Sequence, residues 1–169
     1  MSDSAIVLFY SDARGDSVGR TLSQLQALDD WQMDYFHDFI QWLFPNARAS
    51  AYNPGAPVLT DADVRTFHDR PELRAAVRVS YLRFLRFLGL EESEGGEVCP
   101  IAGRGPRPRV FAIPNHNWLR ITRVLLCLNA LGLPDECRSF YRYLEGVHAR
   151  GEGVSDATFG YWREAAGGA

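Results

Sequence analysis

The stretch "IPNHNWLRITRVLLCLNALGL" (residues 113–133) decides the fold class of this chain. Its apolar side chains recur at the spacing of an α-helix, and a glycine followed by a proline marks where the run ends. The apolar face consists of Trp118, Ile121, Val124, Leu125 and Leu128. The sequence therefore predicts an amphipathic helix that packs this face into a core.

The polar residues of the same stretch form a second face. At about 100° per residue, His116, Arg120 and Arg123 fall on one basic stripe. Asn115 or Asn117 is expected to cap the helix, because asparagine side chains accept hydrogen bonds from the first helical N–H groups.

An acidic counterpart is predicted in "DDWQMDYFHDFIQWLFP" (residues 29–45). If this segment is one continuous helix ending at Pro45, Asp34, His37, Asp38 and Gln41 share its polar arc. The remaining arc is apolar and covers well over half of the circumference, which predicts a mostly buried helix.

The rest of the chain also favours helices. Thr60 is predicted to cap a helix in a capping box with Asp63, Pro71 to begin the next one, and Ser155 to cap the last. Residues 5–10 are expected to be a short extended N-terminal segment, and residues 91–112 a flexible loop. The sequence therefore predicts an all-α, single-domain helical bundle of six or seven helices over residues 1–169.

Composition excludes several function classes. All 18 basic residues are arginine, so Schiff-base and pyridoxal phosphate chemistry and a P-loop lysine are excluded. This usage is typical of a GC-rich bacterial genome. A net charge of −3 argues against nucleic-acid binding. The sequence has no apolar run of membrane-spanning length and no basic leader, so we expect no membrane span, no secretory signal and a cytoplasmic location.

The sequence predicts neither a metal nor a cofactor. Three cysteines without a C-x-x-C spacing do not suggest a zinc site. Asp34 and His37, like Glu145 and His148, have a spacing used in di-metal helical bundles, but the further inward-facing glutamates of that architecture are missing. There is also no G-x-S-x-G or G-x-G-x-x-G motif.

Two interpretations of the polar stripes stay open. In the first, Asp34 or Asp38 pairs with Arg120 or Arg123 and holds two core helices in register. In the second, the stripes line a pocket in which the guanidinium groups bind a carboxylate or phosphate and the histidines donate hydrogen bonds or move protons. The aromatic walls of such a pocket would be Tyr35, Trp42, Tyr81 and Trp118.

Two segments resemble the signatures of a known family. "HDFIQWLFP" (37–45) and "NHNWLRITRVL" (115–125) are similar to the conserved region of the opioid growth factor receptor family. Further agreement, in the same order, comes from "GRTLSQL" (19–25), "NPGAPVLTDADVRTF" (53–67), "YLRFLRFLGL" (81–90) and "LGLPDE" (131–136). The resemblance covers about residues 6–148.

The resemblance supports an expected fold and site location better than it supports a biological role. The animal members are described as perinuclear receptors for a short opioid peptide, and they carry C-terminal repeats that are not found in this chain. At the position directly after "NHN", the family has a further asparagine, whereas this chain has Trp118. The motif positions are His37, Asp38, Gln41, Trp42, Asn115, His116, Asn117, Arg120 and Arg123.

Three function hypotheses follow. The first is a domain that binds a small anionic or zwitterionic molecule, or a short peptide, between the two signature helices. The second is a cofactor-independent bacterial enzyme of specialised metabolism, in which His37 or His116 acts as acid or base and Asp34 or Asp38 orients the imidazole. The third is a structural interaction domain. The sequence leaves the ligand and the oligomeric state open.

Overall fold

A computed structural model describes residues 3–168, which form nine α-helices and one two-stranded sheet. In chain order the elements are α1 (Ala5–Tyr10), α2 (Leu22–Gln26), α3 (Asp30–Tyr35), α4 (Ile40–Leu43), α5 (Asp61–Asp69), α6 (Pro71–Leu88), β1 (Leu90–Glu92), β2 (Val98–Pro100), α7 (His116–Ala130), α8 (Pro134–Ala149) and α9 (Asp156–Ala165). Within this described range, no helix is both long and apolar enough to cross a membrane.

The helix boundaries that the sequence predicts from capping residues are confirmed. Thr60 and Asp63 form the expected capping box at α5, α6 begins at Pro71, and the Ser155 hydroxyl accepts from the backbone N–H of Thr158 at α9. Gly89 follows α6 with a φ of +80°, a left-handed conformation that favours glycine. Local signals were sufficient at these ends because each involves residues only a few positions apart.

The strictly all-α prediction is wrong in one segment. Part of the expected loop at residues 91–112 belongs to an antiparallel hairpin, in which Glu91 pairs with Cys99. The backbone N–H of Ser93 donates to Glu97 O at 2.8 Å, and Gly96 takes a φ of +78° in the turn. Strands of three residues are too short to show the alternation that identifies a strand from sequence.

The predicted extended N-terminal segment is a helix. The Ser4 hydroxyl accepts from the backbone N–H of Val7 and caps α1. Most of this helix is buried, including Ile6, Phe9 and Tyr10. β-branched and aromatic residues favour strands intrinsically, but burial of the apolar face outweighs this preference.

The prediction of one continuous helix over residues 29–45 is also wrong. Asp29 caps α3 as expected, but Phe36 is extended, with a ψ of 138°, and α4 begins only at Ile40. All six consecutive residues 39–44 are buried. Four of these six residues form α4, which is therefore buried on all sides, as the wide apolar coverage predicts.

The chain divides into two compact units. The first runs to Ser80 and includes Ala130–Gly132. In it, aromatic rings join α1 to its neighbours, since Phe9 lies 5.2 Å from Trp42 and Tyr10 lies 5.3 Å from Phe67 between ring centroids. The Tyr10 hydroxyl also donates to the backbone carbonyl of Leu43.

The second unit comprises Tyr81–Asn129 and the chain from Leu133 onward. Trp118 of α7 and Trp162 of α9 meet edge to face, with ring centroids 6.3 Å apart. The indole N–H of Trp118 donates to Val110 O at 2.7 Å, and that of Trp162 donates to Trp118 O at 3.1 Å. The Ser139 hydroxyl fixes the hairpin to α8, donating to Gly96 O and accepting from the backbone N–H of Val98.

Candidate functional site

The first signature segment (residues 37–45) is anchored by an ion-pair network in the first unit. The Arg20 guanidinium lies 2.6 Å from Asp16 Oδ2 and 3.0 Å from Asp38 Oδ1. The Asp16 side chain is fully buried, and its other oxygen accepts from the backbone N–H groups of Val18 and Arg20. Burial alone would lower the pKa of Arg20, but the hydrogen bonds and charges of the two carboxylates outweigh burial and raise this pKa.

The sequence reasoning missed this network. Asp16 and Arg20 lie in "GDSVGR" (residues 15–20), a polar stretch that precedes α2. The available signal was an aspartate followed by glycine at loop spacing, which favours a side-chain-stabilised turn. The sequence predicts a histidine or an arginine of α7 as the partner of Asp38. The observed partner is Arg20, which lies 18 positions earlier, so their pairing leaves no local pattern.

Trp42 is buried and contacts the loop that precedes α2. Its indole N–H donates to the Ser17 hydroxyl at 3.1 Å, and the Arg14 guanidinium lies 5.8 Å from the ring centroid. An arginine at this distance from an indole face is attracted by the ring quadrupole. The motif tryptophan therefore connects the loop before α2 with α4.

Gln41 has an unusual environment. The residue is only 4% exposed, and its amide nitrogen donates to the Ser50 hydroxyl at 3.4 Å. Its carbonyl oxygen Oε1 is buried and has no hydrogen-bond partner among residues 3–168. Buried polar atoms are usually hydrogen-bonded, so an orphaned acceptor in a motif position indicates a site for a donor.

The remaining candidates of this unit lie around the helix break. Asp34 is on α3, whereas His37 and Asp38 occupy the break and are exposed. The predicted single polar arc therefore does not exist as a helical face. Tyr35 is exposed and stacks on the equally exposed Trp31, with ring centroids 4.9 Å apart.

The second signature segment (residues 115–125) begins with an asparagine cap, as predicted. Asn115 Oδ1 accepts from the backbone N–H of Asn117 at 3.0 Å. Its amide nitrogen donates to the carbonyls of Val110 and Ile113 at 3.0 and 2.7 Å. Asn115 thus fixes both the start of α7 and the chain leading into it, which makes it a positioning residue. Its contact with a ligand stays a prediction.

The arginines of α7 lie in protected environments. Arg120 is 5% exposed and donates to Asn117 Oδ1 at 3.4 Å, and Asn117 is itself buried. Arg123 is partly buried. Burial lowers the pKa of its guanidinium, and the neighbouring Cys127 acts in the opposite direction. His116, at the first position of the helix, is exposed.

Tyr81 serves the core of the second unit. The residue is fully buried, its hydroxyl donates to Glu136 O at 3.4 Å, and its ring lies 6.0 Å from Phe140. These contacts connect α6 with α8. A role for Tyr81 as a pocket wall stays a prediction.

The described residues hold no cluster of three or more metal-ligating side chains. The helix break places His37 beyond the end of α3, so Asp34 and His37 do not share a helical face. Burial raises the pKa of Cys137 to about 11 and that of Cys127 further, and both thiols are therefore protonated at neutral pH.

Comparisons with known proteins identify the relatives of this chain. The family model described as the opioid growth factor receptor conserved region matches residues 3–162. The chain is 37% identical to the mouse opioid growth factor receptor over 113 residues, which are 63% of this chain and 18% of that protein. It is 34% identical to the opioid growth factor receptor-like protein 1 of Xenopus tropicalis over 113 residues, or 63% of this chain and 22% of that protein.

The human opioid growth factor receptor is 32% identical over 145 residues, which are 80% of this chain and 21% of that protein. The chain thus spans about a fifth of the length of these vertebrate relatives. The bacterial source expected from composition stays a prediction. No solved structure matches. Because the family model covers nearly all of the chain, this protein belongs to the opioid growth factor receptor conserved-region family.

Proposed function

We propose that this chain is a binding domain whose second signature segment holds the carboxylate of a small anionic or zwitterionic molecule or of a short peptide. The observation that carries the proposal is the placement of Arg120 and Arg123 on α7, three residues apart, with Arg120 buried and Arg123 partly buried. A guanidinium with reduced hydration gains more from an anionic oxygen than an exposed one, and its planar fork matches a carboxylate.

Side chains next to Arg120 would help to orient a ligand. Asn117 Oδ1 accepts from Arg120 and restricts the rotation of that guanidinium. His116 is exposed at the start of the helix, next to Asn117 in sequence. The fixed arginine would align the ligand, and the histidine would extend recognition to a second polar group.

Gln41 offers a separate polar position within the first unit. Its buried Oε1 lacks a donor within the described part of the chain, and a ligand N–H or O–H would supply one. The other residues proposed to bind a ligand are treated unit by unit: Asp34, Tyr35, His37, Asp38 and Trp42 in the first unit, and Tyr81 in the second.

The relatives favour recognition over catalysis. Their names describe receptors for a growth factor, and a receptor binds its ligand without converting it. Because the chain aligns with only about a fifth of those proteins, we transfer the binding of a ligand and not the identity of that ligand.

The test uses peptides of two to five residues with free or amidated C-termini. We expect free-acid peptides to raise the melting temperature of the protein, and the matching amides to have little effect, because the amides lack the carboxylate. Arg123→Gln should abolish the difference. The exposed Arg142 of α8 provides the control, since Arg142→Gln makes the same change in charge away from α7.

Two results would overturn the proposal. Equal stabilisation by acids and amides would show that the carboxylate is not recognised. If no peptide raised the melting temperature and Arg123→Gln strongly lowered the free energy of unfolding, the buried guanidinium would serve the fold and not a ligand. Chemical shifts of the Asn117 side-chain amide during titration provide a second readout that does not depend on stability.

A further inference from the structure

The charge of this acidic protein is distributed unevenly along the chain. Residues 98–134 contain no aspartate or glutamate but include five arginines, although the net charge of the whole sequence is −3. Three of these arginines lie in "GRGPRPR" (residues 103–109), which the proposed function does not use. The segment is therefore cationic along the sequence, although the hairpin places Glu91 and Glu92 beside its first residues.

The backbone of this arginine loop (residues 103–109) is well fixed. The N–H of Arg107 donates to Leu88 O at 2.7 Å, which ties the loop to the end of α6. The N–H groups of Arg104 and Gly105 donate to Ile101 O at 3.1 and 2.9 Å. The loop therefore presents its side chains from a defined backbone.

Packing against α6 fixes the loop further. The approach at Gly89 is so close that an added Cβ would lie 2.2 Å from Gly105 O. The Arg107 guanidinium also lies 4.8 Å from the centre of the Phe87 ring. Stacking of this kind restricts the rotation of arginine, so less conformational entropy is lost when the side chain binds a ligand.

The loop encloses a concavity of about 350 Å³, which is lined by Arg104, Gly105, Pro106, Arg107 and Pro108. The prolines have no N–H, and the N–H groups of Arg104, Gly105 and Arg107 already donate to backbone carbonyls. A ligand in this concavity would therefore be held by the two guanidinium groups and not by a backbone nest.

We propose that this concavity binds a phosphate-type oxyanion, such as a phosphate ester or pyrophosphate, as a site separate from the α7 arginines. Two guanidinium forks bind a polyvalent oxyanion more strongly than a monocarboxylate, because the attraction grows with the charge of the ligand. The concavity offers no aromatic platform for stacking a base, which favours a small anion over nucleic acid.

Calorimetric titration of the full chain with inorganic pyrophosphate tests the proposal. We expect saturable binding that weakens as sodium chloride is raised to about 0.5 M. Arg104→Gln and Arg107→Gln should each weaken binding by about tenfold. Arg109 belongs to the same loop but does not line the concavity, so Arg109→Gln provides the matched charge control and should have little effect.

Arg107→Lys distinguishes the geometry of the guanidinium from its charge, and should still weaken binding because the fork is lost. Melting temperatures verify that each variant is folded. Equal weakening by Arg109→Gln would overturn the proposal in favour of diffuse charge attraction. Equal binding of malonate would overturn the phosphate assignment. Much tighter binding of a single-stranded oligonucleotide, lost in the same variants, would overturn it in favour of nucleic acid.

Discussion

The guanidinium of Arg20 lies 3.0 Å from the carboxylate of Asp38 and joins the loop before α2 to the break before α4. The same guanidinium contacts the buried carboxylate of Asp16. The first signature segment is thus contacted by a residue that precedes it by 17 to 25 positions.

Removing Arg20 should destabilise the protein. In Arg20→Gln, the fully buried Asp16 carboxylate loses its counterion, and we expect the free energy of unfolding to fall by about 3 kcal/mol. Urea unfolding measures this change. The control is Asp38→Asn, which removes a carboxylate that is half exposed and should cost less than about 1 kcal/mol. Equal costs for the two variants would contradict the central role of Asp16.

The alanine substitution of Gly89 should be much more harmful than that of Gly96. Both glycines have a φ near +80°, so both variants incur the cost of a left-handed alanine, about 1 kcal/mol. At Gly89 the new methyl group would also collide with Gly105 O, whereas at Gly96 it meets open space. We expect Gly89→Ala to cost at least about 2 kcal/mol more in urea unfolding. Similar losses would contradict the close backbone approach.

Stability should fall at alkaline pH because of Cys137. Burial raises the pKa of this thiol from 9.0 to about 11, so the folded state keeps the proton where the unfolded state releases it. The resulting stabilisation is complete below pH 9 and is lost as the pH rises to about 11, with a total of roughly 2 to 3 kcal/mol.

The measurement is the free energy of unfolding from neutral pH to about pH 11 for the wild type and for Cys137→Ala. Other groups also titrate in this range, and the difference between the two proteins isolates the thiol. A constant difference across the range would argue against the raised pKa.

Trp118 should be needed for the fold of the second unit. Trp118→Phe keeps an aromatic ring but removes one of the two donors to the buried carbonyl of Val110, which then keeps only the Asn115 amide. We expect a loss of about 1 kcal/mol in urea unfolding. Leu119→Ala provides the control on the same helix, because Leu119 is 59% exposed and its truncation should have little effect. A comparable loss in the control would show that α7 tolerates neither change.

The sequence predicted the parts of the fold that depend on neighbours along the chain. The ends of α5, α6 and α9 follow from capping residues and proline, and the cap of α7 follows from Asn115. Periodicity failed at residues 36–39, where the helix breaks although the pattern continues; His37 and Asp38 are exposed there, and the run of buried side chains begins only at Phe39. It also failed for α1, because six apolar residues are compatible with either a helix or a strand.

In the candidate site, too, local features could be predicted and long-range contacts could not. Sequence patterns identified the basic face of α7, because Arg120 and Arg123 are positioned by one helix. They could not identify Arg20 as the partner of Asp38, because this contact depends on how distant segments pack. The unpartnered oxygen of Gln41 could not be predicted either, since it results from how residues 3–168 pack around it.

That oxygen implies a conflict between stability and recognition. A buried acceptor without a donor carries a desolvation cost, so the unliganded fold is less stable than its apolar packing would allow. Gln41→Met keeps a side chain of similar shape without the acceptor, and it should raise the melting temperature. Any ligand that stabilises the wild type should stabilise this variant less. If Gln41 has the proposed binding role, selection for stability alone would remove this glutamine, and a screen for more stable variants would tend to select proteins with weakened binding.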